Sequence, residues 1–348
     1  MKLGYKKSIL CNLMSKQNKN QKNQQNQQNK YPFVSICTPT YNRRPFIPYI
    51  IKCFQQQTYP KERMEWIIID DGTDKIEDLV KDIPQIKYFK YDEKLTLGKK
   101  RNISHEKSSG DIIVYMDDDD YYPAERVSHA VETLQKNPTI LCVGSSEMHI
   151  YFKHIHKMYK FGPYAPNHST AATLAFRKEL LKDTKFDETA CLAEEKMFLK
   201  NYTIPMIQLD TMKSILVFSH IHNSFDKKTL LVNAPNPRVT ESIKKPSEFV
   251  KDADILKYFM EDIDNVLEIY EPGKPENKLD VIIQMEKLKM EREAKIKEHQ
   301  QNQQTQHFIK TLNELTNENK QLKDKVVYLE NKIRQIISAK IQEKIAAI

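Results

Sequence analysis

Residues 117–120 are four consecutive aspartates that directly follow an apolar run at 111–116. Four neighbouring carboxylates do not all stay ionised without a cation or large pKa shifts. If the apolar run is a parallel strand, the aspartates lie at its carboxyl end, where α/β sheets bind ligands. The cluster predicts a site for Mg²⁺ or Mn²⁺, held by carboxylates together with a diphosphate. A solvated acidic turn is the alternative interpretation.

A second acidic pair, Asp70 and Asp71, lies at the end of the apolar run at 65–70 and precedes a glycine. In a parallel sheet this run ends at the same edge as the run at 111–116, so both acidic groups would face one crevice. An Asp-Gly pair after a strand is otherwise an ordinary turn. The pair supports a ligand site only in combination with the four aspartates.

Three basic residues, Lys99, Lys100 and Arg101, lie at the start of a predicted helix at 97–107. The free backbone N–H groups and the positive dipole end of a helix attract phosphate, and basic side chains reinforce that attraction. The segment is therefore a candidate phosphate contact. An exposed basic helix turn is the alternative interpretation.

The elements that position these residues follow from the hydrophobic pattern. Short apolar runs alternate with candidate helices, the runs at 33–38, 65–70, 86–89 and 111–116 and the helices near 45–57, 74–82, 97–107 and 123–136. This alternation is typical of strands that are buried on both faces and joined by helical crossovers. The sequence predicts an α/β fold with a mostly parallel, doubly wound sheet.

Composition also divides the chain. Residues 17–29 are glutamine or asparagine except for two lysines, which predicts a disordered leader over 1–30. We expect an α/β domain over 31–235 and a proline-containing linker with short helices over 236–275. Residues 276–348 are rich in lysine, glutamate and glutamine and predict a long helix.

Charge and cysteine usage exclude several classes of protein. Residues 1–30 hold seven lysines and no acidic residue, so the net charge of +8 leaves the rest of the chain nearly neutral. Such a domain lacks the basic surface of a nucleic-acid-binding protein. The five cysteines are odd in number and show no CxxC spacing, which favours reduced thiols and a cytoplasmic location, or a host cytoplasm or virus particle if the source is viral. No apolar run reaches the roughly 20 residues of a transmembrane helix.

A heptad pattern begins near Phe308. Position a holds Leu312, Asn319, Val326 and Ile333, and position d holds Leu315, Leu322, Leu329 and Ile336. β-Branched residues at a with leucine at d favour a parallel dimer, and a single asparagine at a fixes its register. Glu318 faces Lys323, and Lys325 faces Glu330, across the g and e′ positions of that dimer. We predict a homodimer through this coiled coil; a helix that docks on its own domain is the alternative.

In combination, four motifs resemble the family 2 glycosyltransferases, which have the GT-A fold of the nucleotide-diphospho-sugar transferase superfamily. The motifs are VSICTPTYNR at 34–43, IIIDDGTD at 67–74, LGKKRN at 97–102 and DIIVYMDDDDYYP at 111–123. Their order and spacing are those of the family, and the resemblance covers about residues 31–225. It implies a transferase that uses a nucleotide-sugar donor and a divalent metal ion.

The resemblance also implies roles for single residues. Asp117, Asp118 and Asp119 resemble the family's DxD motif, with Asp117 near the ribose and the metal and Asp119 on the metal. The other residues expected to bind the nucleotide sugar are Pro39, Tyr41, Asp70, Asp71 and Arg101. Pro39 and Tyr41 would lie near the base, which an acidic side chain of the Asp-Asp-Gly turn would read.

Glu194 and Glu195 resemble the family's later acidic pair, whose second acid is the general base for the acceptor hydroxyl. The family usually has aspartate at the second position, and the longer glutamate displaces the carboxylate at a scale that matters for catalysis. We expect Glu195 to be the base, with Glu194 as the substitute. A carboxylate that merely stabilises the first turn of a helix is the alternative.

His220 and His222 follow an apolar run and would point to the same side of an extended strand. Family members often place a histidine here on the metal or the diphosphate, so both residues are candidate metal ligands. A zinc site would need further ligands, and the sequence offers none nearby. We expect one of the two histidines to take part in the site.

These patterns predict an inverting, Mn²⁺- or Mg²⁺-dependent glycosyltransferase that moves a sugar from a nucleotide-diphosphate donor, by resemblance a UDP-sugar, to a protein, glycan or lipid acceptor. A sugar-phosphate nucleotidyltransferase is one alternative, but it would have a glycine-rich basic loop after the first strand, where residues 38–45 contain no glycine. A non-catalytic scaffold with a decayed transferase domain is the other. The intact acidic positions argue against decay.

Overall fold

A computed structural model describes residues 30–232 and 236–346 of the chain. The predicted leader over 1–30 lies, except for its last residue, outside the described residues. The chain divides into two compact units with the boundary between Gln284 and Met285. The first unit carries both sheets and every candidate site residue, and each unit is described by itself.

The described residues form two sheets. Their strands are β1 (Val34–Thr40), β2 (Met64–Asp70), β3 (Ile86–Lys90), β4 (Ile112–Tyr115), β5 (Cys142–Gly144), β6 (Met148–Phe152), β7 (Lys157–Phe161), β8 (Ala175–Arg177), β9 (Met206–Gln208), β10 (Val217–Ser219) and β11 (Val239–Glu241). The larger sheet has the order β3-β2-β1-β4-β8-β5-β9. Its pairs are parallel except that β8 is antiparallel to β4 and β5. The predicted mostly parallel α/β sheet is confirmed, with one reversed strand that the sequence pattern did not indicate.

Burial on both faces explains the continuous apolar runs of the central strands. Every residue of β1 and β2 is buried. Trp66 and Ile68 pack into the core on one face of the sheet, whereas Ile67 and Ile69 pack into the core on the other. Because side chains alternate along a strand, a strand covered on both sides needs apolar residues at consecutive positions.

The helices cover these faces. Their bounds are α1 (Ile47–Gln56), α2 (Glu77–Val80), α3 (Leu97–Lys107), α4 (Arg126–Lys136), α5 (Glu195–Phe198), α6 (Thr229–Val232), α7 (Pro246–Phe249), α8 (Ala253–Lys257), α9 (Ile263–Glu268) and α10 (Leu279–Ala346). In α4 the buried residues Val127, Ala130, Val131 and Leu134 recur with the helical period that predicts one apolar face. The predicted helices α1, α3 and α4 are confirmed, and the one expected near 74–82 is shortened to α2.

The smaller sheet has the order β10-β6-β7-β11, with β10 parallel to β6. Tyr121, next to the four aspartates, forms an antiparallel bridge with Leu216, just before β10. The backbone N–H of each residue donates to the carbonyl of the other at 3.0 and 2.9 Å. This bridge holds the aspartates beside the end of β10, which His220 directly follows.

The long C-terminal helix is confirmed: α10 spans 68 residues. Along its second half the heptad leucines Leu315, Leu322 and Leu329 are each about half exposed. The predicted coiled-coil pairing of this helix stays a prediction. No helix among residues 30–232 and 236–346 is long and apolar enough to cross a membrane.

Candidate active site

The acidic strand ends meet at one edge of the larger sheet, as predicted. β2 and β4 both pair in parallel with β1, so Asp70, Thr40 and the residues after Tyr115 leave the sheet side by side. The Thr38 hydroxyl donates to the Met116 carbonyl at 2.6 Å and ties the end of β1 to the exit of β4. The carboxyl ends of three neighbouring strands therefore build the site.

Arg43 connects the loops that follow β1, β4 and β10. Its Nη2 donates to Asp119 Oδ2 at 3.2 Å, its Nη1 donates to the His222 carbonyl at 2.8 Å, and its Nε lies 3.6 Å from Asp118 Oδ1. The side chain is buried and its guanidinium lies over the Phe46 ring. Arg43 lies in the motif at 34–43, where its sequence context predicts no role, yet this buried arginine beside carboxylates is the central contact of the site.

Three of the four aspartates have shifted pKa values, and the shifts differ in direction. Burial opposes ionisation of Asp119, but Arg43 and a hydrogen bond from His220 outweigh it and hold the pKa of Asp119 well below its usual range. Burial raises the pKa of Asp118 to about 7 despite Arg43. Burial and the charge on Asp119 raise the pKa of Asp120, one of whose oxygens has no hydrogen-bond partner. The cluster thus shows the large pKa shifts that are expected of neighbouring carboxylates.

His220 is the histidine that reaches the aspartates. Its Nε2 lies 3.3 Å from Asp119 Oδ2 and 2.8 Å from the amide nitrogen of Asn223. A neutral ring nitrogen cannot donate to the carboxylate and accept from the amide at once, so these contacts are not all satisfied. Burial lowers the pKa of His220 to about 3, so the ring is neutral at physiological pH.

This pair fits a metal ion. Adjacent ligands in an octahedral shell with bonds of ~2.1 Å lie roughly 3 Å apart, close to the separation of Asp119 Oδ2 and His220 Nε2. Within the part of the chain that the structure describes, no group of three or more His, Cys, Asp or Glu residues converges on one point. An ion held by Asp119 and His220 would complete its shell with a diphosphate and water.

His222 lies elsewhere. Its ring is buried, and neither ring nitrogen has a hydrogen-bond partner. The ring centroid is 6.2 Å from that of Tyr270, and Nδ1 packs closely against Gly273. Burial and the charge on Arg43 lower the pKa of His222 to about 4. Of the two candidate histidines, the structure brings only His220 into contact with an aspartate.

Arg101 connects the aspartates with the later acidic pair. Its Nε donates to Glu194 Oε1 at 2.7 Å, and its Nη1 lies 3.3 Å from Asp117 Oδ1. The guanidinium is buried above the Tyr115 ring, 4.4 Å from the ring centroid. Glu194 is therefore held in an ion pair, and Asp117 faces the same cation.

Glu195 begins α5 and is less constrained. The Tyr202 hydroxyl donates to its Oε1 at 3.5 Å. Burial and the neighbouring Glu194 raise the pKa of Glu195 to about 7. The backbone at Ala193, just before the acidic pair, adopts a positive φ of 52°, a conformation that residues other than glycine rarely adopt. Glu195 thus has the proton affinity of a general base that works near neutral pH.

Asp70 and Asp71, the acidic pair after β2, have different hydrogen-bond partners. Asp70 accepts hydrogen bonds from the backbone N–H groups of Gly72 and Ile76 and from the Tyr88 hydroxyl, which closes the turn after β2. Asp71 accepts from Lys100 Nζ at 2.8 Å and from the backbone N–H of Leu95. Both carboxylates are therefore hydrogen-bonded to other groups of the protein.

A cavity of about 150 Å³ lies above these groups. Among the predicted site residues, those that line it are Pro39, Tyr41, Arg101, Asp117, Asp118 and Asp119. The cavity is also lined by four further basic residues, Arg43, Lys94, Lys100 and Lys278. It is therefore rich in both basic and acidic side chains. Lys278 lies far from every motif in the sequence, and no local pattern marks it.

The family model for glycosyl transferase family 2 matches residues 35–193. The chain contains a family 2 glycosyltransferase domain. The match covers the motifs around Arg43, Asp71, Arg101 and the aspartates, and it ends just before Glu194. This domain therefore supplies most of the residues that line the cavity, whereas Lys278 comes from outside it.

The domain is similar to parts of several known transferases. It is 27% identical over 116 residues to the poly(ribitol-phosphate) beta-N-acetylglucosaminyltransferase TarS of Staphylococcus aureus, a match that covers 30% of this chain and 19% of that protein. It is 31% identical over 111 residues to the GalNAc(5)-diNAcBac-PP-undecaprenol beta-1,3-glucosyltransferase of Campylobacter jejuni, which covers 30% and 34%. The structure of S. aureus TarS 1–349 with UDP-GlcNAc superposes with a TM-score of 0.44 at 20% identity and covers 53% and 58%. The chain spans less than half of the length of these curated relatives.

The two glutamates should respond differently to removal of their charge. Glu194→Gln should lower the free energy of unfolding by about 3 kcal/mol, because buried Arg101 loses its nearest carboxylate. Glu195→Gln should not destabilise the domain at pH 8. A carboxyl whose folded pKa is raised contributes stability below its unfolded pKa and loses it as the pH rises through the folded value, here about 7.

Urea denaturation of both variants at pH 8 measures this difference. An equal loss of stability in the two variants would contradict the assignment of Glu194 as the partner of Arg101.

Proposed function

We propose that the chain is a metal-dependent, inverting glycosyltransferase that moves a sugar from a nucleotide-diphosphate donor to an acceptor hydroxyl. The observation that carries this proposal is the convergence of two ion clusters, Arg43–Asp119–His220 and Glu194–Arg101–Asp117, around one cavity of a family 2 domain. The names of the matched relatives, an N-acetylglucosaminyltransferase and a glucosyltransferase, support sugar transfer. A UDP-sugar is the donor that the family resemblance favours.

Asp119 and His220 would hold the metal ion, with Asp117 close by. The imidazole ligand favours Mn²⁺ over Mg²⁺, which prefers an all-oxygen shell. When bound, the ion supplies positive charge that stabilises the departing nucleoside diphosphate. Arg43 and Lys100 line the same cavity and add fixed positive charge there. Pro39 and Tyr41 give it an apolar wall for the base.

Glu195 would take the proton from the acceptor hydroxyl as that oxygen attacks the anomeric carbon, on the face opposite the departing diphosphate. A pKa of about 7 suits this task, because the ideal general base has a pKa near the working pH. Glu194 is already paired with Arg101 and would serve to position that arginine beside Asp117.

Metal-dependent hydrolysis of nucleotide sugars tests the function as a whole. We expect the full chain with Mn²⁺ to release UDP from one member of a panel of UDP- and GDP-sugars, and the same sugar nucleotide to raise its melting temperature. Asp119→Asn should abolish both effects, whereas Asp82→Asn, which changes an exposed carboxylate, should preserve them. Release of pyrophosphate instead of UDP would favour a nucleotidyltransferase. If the chain releases no product and is not stabilised by any sugar nucleotide, a scaffold would be favoured.

The general base has a kinetic signature. Glu195→Gln should lower the transfer rate by about 10²–10⁴-fold, because the amide keeps the shape but accepts no proton. Donor affinity, measured by calorimetry, should stay unchanged. In the wild type the transfer rate should rise with pH through about 7, as Glu195 loses its proton, and Glu195→Gln should lose this rise. A fall of less than about tenfold would show that the base is another residue.

We also propose that α10 pairs with a second copy of the chain as a parallel coiled coil. The full chain should have the mass of a dimer in light scattering, and truncation after Gln284 should give a monomer that still hydrolyses the donor. Asn319→Val at position a should admit trimers, since only the aligned dimer lets two such amides bond. Asn317→Val at the outer f position is the matched control. A monomeric full chain at micromolar concentration would contradict the pairing.

A further inference from the structure

A segment outside the family 2 domain closes the cavity. Residues 270–284, named here the capping segment, run across the loops that follow β1 and β2. The Tyr41 hydroxyl donates to the Asn277 carbonyl at 3.3 Å, and the Asn42 amide donates to the Pro272 carbonyl at 3.0 Å. The Tyr270 hydroxyl donates to Asp74 at 2.8 Å. The capping segment is thus fastened to the opening motif and to the turn after β2.

The end of the capping segment is fastened to the other side of the cavity. Gln284 Oε1 accepts hydrogen bonds from the backbone N–H groups of Cys191 and Leu192, each at 2.7 Å. Asp280 forms an ion pair with Lys94. The segment therefore reaches the loop that leads into the acidic pair, and contacts on both sides fix its path over the site.

Lys278 is the residue of this segment that enters the site. Its side chain is buried and lines the cavity together with Asp118 and Asp119. Its Nζ donates to Ser224 Oγ at 2.9 Å and to the His222 carbonyl at 3.4 Å. Among the described residues, no carboxylate oxygen lies within ion-pair distance of this amine. Burial of a charged amine without an ionic partner is costly.

The other basic residues of the cavity are already paired. Arg43 contacts Asp119, Lys100 contacts Asp71, Arg101 contacts Glu194 and Asp117, and Lys94 contacts Asp280. An anion that enters the cavity finds these charges largely balanced by carboxylates. Lys278 has three donor positions and two acceptors, so it retains one N–H for an incoming ligand. Burial and the nearby Arg43 lower the pKa of this amine to about 6, and an anion in the cavity would favour its charged form.

We propose that Lys278 binds the diphosphate of the donor, so that the capping segment completes the donor site. This inference rests on the proposed function and assigns a contact to a residue outside the matched domain. A diphosphate would supply the anionic partner that the buried amine of Lys278 lacks. It also explains why a buried lysine, and not an apolar residue, occupies this position under the capping segment.

Calorimetry of the full chain with Mn²⁺ tests this contact. Lys278→Met should weaken binding of UDP about ten- to a hundredfold, the loss of one charge-assisted contact, and leave the affinity for uridine unchanged. Lys278→Arg, which keeps the charge, should bind UDP more tightly than Lys278→Met. Lys274→Met is the matched control, because Lys274 lies on the same segment but pairs with Glu271 and does not line the cavity.

Unchanged UDP affinity in Lys278→Met would overturn the proposal, and so would an equal loss of UDP and uridine binding, which indicates a purely structural role. If Lys278→Met does not fold, Lys278→Gln, which retains a donor for Ser224, replaces it with the same expectation. Hydrolysis of the donor by the wild type distinguishes failure of the Lys278 contact from failure of the proposed function. A wild type that hydrolyses a UDP-sugar while Lys278→Met binds UDP normally removes only this contact, whereas an inactive wild type that binds no nucleotide removes the proposed function.

Discussion

The ionisation of buried Asp119 beside Arg43 is the interaction on which the rest of the site depends. Burial favours the protonated form of a carboxyl group, as the raised pKa values of Asp118 and Asp120 illustrate. Arg43 prevents this at Asp119 and also binds the carbonyl of His222. The loops after β1, β4 and β10 are consequently held together by one guanidinium group.

A second buried arginine, Arg101 of α3, likewise joins carboxylates from different loops. Arg101 at the start of α3 holds Asp117 and Glu194, residues that come from different loops. The tight packing of Gly98 against the Asp187 carbonyl fixes this helix start, since any Cβ there would overlap that oxygen. The two arginines thus position the carboxylates before any ligand arrives. Such preorganisation reduces the ordering cost that a donor must meet on binding.

The sequence predicted much of this structure because its strongest signals are local. Buried runs ending in acidic residues specify both the central strands and the edge at which they meet. The reversed β8 escaped prediction because a strand of three residues, two of them buried, gives no periodic signal. Sequence spacing also placed His220 and His222 on one side of a strand, but β10 ends at Ser219, so the alternation rule does not apply to them.

The capping segment and Lys278 show a second limit of prediction from sequence. Lys278 lies 159 residues beyond Asp119, in a stretch whose composition resembles a solvated linker. Tertiary contacts, among them the hydrogen bonds of Asn42, Tyr41 and Gln284, bring it to the cavity. The roles of Asp70 and Asp71 were likewise indistinguishable in sequence, whereas the structure uses the first to close a turn and the second to hold Lys100.

The most direct test of this account is an electron paramagnetic resonance titration of Mn²⁺ with and without UDP. Because Asp119 and His220 are the two candidate metal ligands that contact each other at this site among the described residues, Mn²⁺ alone should bind weakly and saturating UDP should tighten its binding at least tenfold. Thermodynamic linkage then requires Mn²⁺ to tighten UDP binding by the same factor. Mn²⁺ binding that is equally strong with and without UDP, or absent in both cases, would contradict the proposed completion of the metal site by a diphosphate.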